Sequence, residues 1–180
     1  MARLRDTLQD NELNKYFKEM DGKKLTRKIR TIIIVFIVFL ALSGITAFPI
    51  ETELQILNDN SSIFPDFIRQ WLTDVYFAVK DTNTKYPFLS YGTDWLAFAH
   101  LVIAVAFIGP LRNPVKNVWV IEFGMIACLM VFPLAFIAGA VRGIPFYWRL
   151  IDCSFGVIGL IPLIWCHKLV KRLEQINKPN

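Results

Sequence analysis

Residues 31–48 read TIIIVFIVFLALSGITAF, and residues 145–167 read PFYWRLIDCSFGVIGLIPLIWCH. The first stretch holds no charge at all, and the second only Arg149 and Asp152 ahead of its terminal His167. A hydrocarbon core of about 30 Å is crossed by about 20 mostly apolar residues wound as helix, so both are candidate spans. Two more stretches share that character. One is 93–111, which closes on Gly109-Pro110; the other is 118–140, with Pro133 near its middle. The sequence therefore predicts an all-α fold, a polytopic membrane four-helix bundle.

Working outward, the whole composition agrees. Of 180 residues, 54% are hydrophobic and 15 are Phe, with mean hydropathy +0.43. That excludes a disordered chain, which is poor in apolar and aromatic residues. A soluble domain of this size has too little interior to hide so much apolar surface. Charged residues make up 19%, below the value of about 25% usual for soluble domains.

The net charge of +5 is distributed around the spans. Residues 1–30 carry nine Lys and Arg against five acids, and 167–180 carry four against one. Residues 49–93 carry three against six. Basic flanks are the mark of membrane topology and not of a nucleic-acid stripe, so no nucleic acid is expected as partner. The N-terminal segment 1–30, the connection 112–116 and the tail 168–180 are expected on the cytoplasmic side, and the loop 49–92 on the other. The expected location is a cell membrane, the bacterial inner membrane, with both termini cytoplasmic. The apolar run at 31–48 follows 30 residues and precedes no clear small-x-small cleavage site, so it reads as a retained helix.

Outside the spans, 65–80 reads as an amphipathic helix at the membrane–water boundary. Phe67, Ile68, Trp71, Leu72, Val75, Tyr76 and Val79 recur at helical spacing. Residues 81–87 read as a polar turn. Leu4, Leu8, Tyr16, Phe17 and Met20 suggest a short amphipathic helix near the N-terminus. Lys23, Lys24, Arg27, Lys28 and Arg30 then set orientation and attract anionic lipid. The bulky run 32–40 is expected to face lipid or a partner, with spans two to four as the tight unit. The prolines inside the third and fourth spans are expected to face other helices, which would satisfy the carbonyls they free.

An ionisable residue inside a span costs several kcal/mol unless paired or hydrated, so each requires a role. Asp94 lies near the outer edge of the second span, and His100 lies about 9 Å deeper at about 1.5 Å per residue. Arg149 and Asp152, three apart on the fourth span, share a helix face and are expected to pair. With Arg142 in the outer turn, these residues form the candidate ligand pocket: Asp94, His100, Arg149, Asp152 and Arg142. His100 and Asp152 are the candidate acid–base pair, with Arg149 for an anionic substrate. Nearer the inner surface, Glu122 has Lys116, His167 and Lys168 as candidate partners.

No cofactor and no metal site are expected. Two histidines at opposite depths cannot share a haem iron, and scattered His and Cys give no tetrahedral zinc set. Cys128, Cys153 and Cys166 all lie in apolar runs, so neither a disulfide framework nor the redox cysteine pairs of quinone–disulfide oxidoreductases are present. The expected function is a membrane protein that binds a lipid headgroup or small polar ligand, or serves as an accessory subunit. Its partners are the lipid bilayer and a membrane-protein partner or a second copy of the chain. Two alternatives are a membrane-embedded acid–base enzyme acting on a lipid-like substrate and an oligomeric small transporter or channel subunit.

Overall fold

A computed structural model describes residues 2–178, with side chains of 13 and of 16–178. Among the described residues the fold is all-α, without strands. Four of its helices are long and apolar enough to cross a membrane, at Tyr16–Ala47, Pro87–Arg112, Val118–Val141 and Phe146–Asn177. The chain forms two compact units. One joins the chain up to Phe36 with the chain from Ala106 onward; the other is Ile37–Val105.

The first helix, α1 (Ala2–Ala47), is longer than the span within it. Its 46 residues extend for about 69 Å at about 1.5 Å each, twice what a bilayer core takes. In the first unit it contributes Leu25, Ile29 and Ile33, spaced four apart and buried. The run 32–40 is therefore not wholly outward-facing. Ile33 is 1% exposed, whereas Ile34 and Val35 remain about half exposed. An unbroken apolar run conceals which face turns inward, because every face is equally greasy. Leu4 and Leu8, named in the N-terminal amphipathic pattern, lie outside the described side chains; Tyr16, Phe17 and Met20 are exposed.

The second unit holds α2 (Ile50–Asp59), a short 3-10 turn (Ser61–Ile63), α3 (Asp66–Lys85) and most of α4 (Pro87–Ala106). The segment read as a loop is thus mostly helical. The amphipathic expectation for α3 holds in part: Leu72 and Tyr76 are buried, while Phe67 is exposed. The expected polar turn at 81–87 shrinks to the single non-helical residue Tyr86. Its polar residues are engaged as helix: Lys85 pairs with Asp81 at 2.8 Å, and Asn83 Nδ2 donates to Glu51 Oε2 at 2.6 Å. Ser90 donates to Asn83, and Thr73 donates to Asn58 at 2.8 Å. Gly44 of α1 marks a close approach to α4, where an added Cβ would stand 2.8 Å from the Ala97 carbonyl oxygen.

The first unit continues with α5 (Ile108–Arg112), α6 (Val118–Pro133) and α7 (Phe146–Asn177). Pro110 has no N–H to offer the Ala106 carbonyl, which accounts for the break between α4 and α5. Asn117 fixes the next turn by donating from Nδ2 to the carbonyls of Gly109 and Asn113. Beyond Pro133, α6 continues as one wider π turn, Leu134–Ala138, and then Gly139–Val141. Pro133 is exposed, not turned toward another helix as expected. The π turn supplies the local adjustment that a neighbouring helix was expected to give.

Small residues draw α6 and α7 together. A Cβ on Gly156 would lie 2.7 Å from the Cys128 carbonyl oxygen, and one on Gly124 would lie 3.1 Å from Leu163 Cδ1. Beside this seam Leu163, Cys166, Val170 and Leu173 form a buried stripe on α7 at helical spacing. Phe36 and Phe107 pack with ring centroids 4.7 Å apart and planes tilted by 45°.

Candidate functional site

The five residues of the candidate pocket fall in different units. Asp94 and His100 stand half-buried on α4, in the second unit. Arg142, Arg149 and Asp152 belong to the first. His100 turns back on its own helix, with Nδ1 2.8 Å from the Leu96 carbonyl oxygen. A carbonyl only accepts, so Nδ1 carries a proton, and in the neutral ring Nε2 is left as the acceptor.

Arg149 is placed by the turn joining α6 to α7. Gly143 has φ +71°, the left-handed conformation that glycine adopts without steric cost. Around it, Ile144 N–H donates to the Gly139 carbonyl at 2.9 Å and Gly143 N–H to Ala140 at 3.2 Å. These two bonds make a Schellman cap. Arg149 Nε then donates to the Ile144 carbonyl at 2.7 Å, and its aliphatic stem fills the space over Gly139. The guanidinium thus ties the start of α7 to the turn before it. The expected Arg149–Asp152 ion pair does not form. Shared helix spacing allowed it, but the turn's unpaired carbonyl holds the guanidinium instead. Asp152 is half-buried and Arg142 is exposed.

At the other end of the first unit, Glu122 of α6 meets His167 of α7, with Oε1 3.0 Å from Nε2. Of the three candidate partners for Glu122, the fold selects His167; Lys168, the next residue on the same helix, makes no ion pair with it. Among the described residues, no three His, Cys, Asp or Glu come together as metal ligands.

Sequence reasoning did not anticipate a groove between α1 and the last turns of α7. It is open, has a volume of about 1710 Å³, and runs from Phe17 to Ile34 on α1 and from Arg172 to Lys178 along the end of α7. Lys18, Lys23, Arg27, Arg30, Arg172 and Lys178 line it, against Glu19 and Asp21. Lys23 is paired with Glu19 at 2.8 Å. Among the described residues, Arg27, Arg30 and Arg172 have no carboxylate partner. The signal was present in the sequence as two basic clusters at opposite ends of the chain. Only the continuation of both helices past their apolar spans sets them side by side. No family model matches the chain, and no characterised protein or solved structure does either.

Proposed function

We propose that this is a multi-pass protein of a cell membrane, the bacterial inner membrane, that works as a binding or accessory protein. Its termini and the connection 112–116 face the cytoplasm, and α2 and α3 lie on the other side, with α3 near the boundary. Charge asymmetry supports this orientation. The aromatic residues of α4, where Tyr91, Trp95 and Phe98 form an edge-to-face ladder with centroids about 6 Å apart, support a boundary position for that stretch on whichever side it lies. Half-exposed Trp and Tyr favour the interfacial layer.

The observation that favours an accessory role, or binding away from these residues, over the catalytic reading is the bonding of Arg149 and His100. Acid–base chemistry asks these groups to serve a substrate with Asp152 as partner. Instead Arg149 bonds the Ile144 carbonyl, and His100 bonds the Leu96 carbonyl. Their geometry is that of groups that hold helices in shape.

Mild-detergent purification followed by mass spectrometry tests the role. A stoichiometric lipid or protein partner supports it. Turnover of a lipid-like substrate that Asp152→Asn abolishes, at normal accumulation, overturns it in favour of an enzyme. Orientation is tested separately by thiol labelling of intact cells carrying Asn60→Cys or Lys178→Cys. The Asn60→Cys variant is expected to label directly, and the Lys178→Cys variant only after the cells are permeabilised; the reverse pattern overturns the assignment.

A further inference from the structure

We propose that the groove between the N-terminal half of α1 and the end of α7 is a binding site for a phosphate-bearing anion, supplied by the headgroup of an anionic phospholipid. Three features of the groove converge on this ligand.

The first is surplus charge. Six cations line the groove against two acids, and among the described residues only Lys23 is paired with a carboxylate in it. Arg27, Arg30 and Arg172 come from two different helices, so an anion between them would be met from two sides. The second is the cation type. A guanidinium presents a planar fork of donors that matches two phosphate oxygens at once, whereas an ammonium acts as a point charge.

The third is position. Arg27, Arg30, Thr31 and Ile34 all line the groove and succeed one another at helical spacing on α1. Thr31 and Ile34 already belong to the apolar run. The groove therefore crosses from the charged end of α1 into the stretch that contacts hydrocarbon. A soluble anion would use only its upper part. A phospholipid would fill both, with phosphate at Arg27 and Arg30 and acyl chains beside the exposed Ile34. The hydroxyls of Thr26 and Thr31 bond the Gly22 and Arg27 carbonyls at 2.8 and 3.1 Å, and each keeps lone pairs but no second proton for a ligand. Recognition thus falls to the guanidiniums.

The test uses the full chain in detergent and native mass spectrometry. The probes are short-chain phosphatidylglycerol, phosphatidylcholine of the same chain length, and inorganic phosphate. The chain is expected to retain phosphatidylglycerol over phosphatidylcholine. Each cation near an anionic surface changes partitioning by about fivefold, so Arg27→Gln/Arg30→Gln is expected to weaken retention about thirtyfold and Arg172→Gln about fivefold. Lys116→Gln removes a cation outside the groove, and retention is expected to stay within about twofold of the parent. Arg27→Lys/Arg30→Lys keeps the charge and is expected to fall between parent and Gln variant. Should the Gln double variant lose helix content, that Lys variant and Arg172→Gln decide the matter.

If inorganic phosphate leaves the lipid in place, the membrane is the source of the anion. If phosphate displaces it, soluble phosphate esters share the site. Both results keep the phosphate site. Unchanged retention in the folded groove variants, equal weakening by Lys116→Gln, or equal retention of phosphatidylcholine overturns it. Because detergent removes sidedness, a reversed orientation in cells would sink the topology above and leave this result standing.

Discussion

Where α6 turns into α7, Arg149 is held at 2.7 Å by the Ile144 carbonyl, and its stem is pressed on Gly139. At the far end of the same unit, Arg27, Arg30 and Arg172 line an open groove with no carboxylate partner among the described residues. The residue type is the same and the surroundings are opposite. A guanidinium bound to a backbone carbonyl contributes to stability and little to recognition. A cluster of guanidiniums lining one groove costs some repulsion, and an arriving anion removes that cost. The difference separates an end of the unit that holds the fold from one equipped to bind.

The sharpest way to break that contrast lies in the seam between α6 and α7. Gly156→Leu places a side chain where a Cβ alone would stand 2.7 Å from the Cys128 carbonyl oxygen. Backbone cannot yield as a side-chain tip does, so a destabilisation of about 3 kcal/mol or more is expected. It would be read as loss of protein from the membrane fraction. Normal accumulation of this variant would mean that the helices do not approach as closely as described.

Next in size is Arg149→Ala. It removes a charged donor from the Ile144 carbonyl and packing from Gly139, so a loss of about 2 kcal/mol is expected in thermal unfolding in detergent. Unchanged stability combined with a lost cellular phenotype would turn the comparison around and restore Arg149 to a ligand-binding role.

The all-α class and four helices long and apolar enough to cross a membrane were legible in the sequence, because such helices leave apolar runs that composition alone reveals. Which face of each run turns inward was not legible. Ile33 and Ile34 are chemically alike, yet one is buried and the other half exposed. The candidate pocket was read from residue cost, and cost does not say which acceptor resolves it. Arg149 had Asp152 within helical reach, but the Schellman turn offered the nearer Ile144 carbonyl, and no motif announces a free carbonyl. The helical character of 81–87 was hidden because its polar residues suit a turn equally well. Asn83 finds its partners, Glu51 and Ser90, on two other helices. The groove stayed hidden because it joins residues almost a chain length apart.

A smaller effect is expected where the ends differ least. Glu122 and His167 lie partly exposed, at 46% and 26%, so their attraction is softened by the surroundings. A double-mutant cycle with Glu122→Gln and His167→Gln is expected to give a coupling of about 1 kcal/mol. A coupling several times larger would show a dry pair that fixes α6 against α7. The terminal end of the unit would then serve the fold as much as the turn does.

The smallest effect carries the opposite sign. Gly22 sits within α1 at the edge of the groove, and among the described residues a Cβ there would meet only Leu173 Cδ1, at an ordinary 3.8 Å. Alanine restricts the unfolded chain more than glycine does and fits the helical backbone, so Gly22→Ala is expected to stabilise by roughly 0.5 kcal/mol. Gly156→Ala, by contrast, is expected to destabilise, because its Cβ meets a carbonyl oxygen. One substitution made at two helix positions thus reads the local space directly: a gain at Gly22 and a loss at Gly156 in the same thermal assay. If Gly22→Ala also destabilises, α1 and α7 approach more closely than the groove allows, and the volume assigned to a headgroup is not there to receive one.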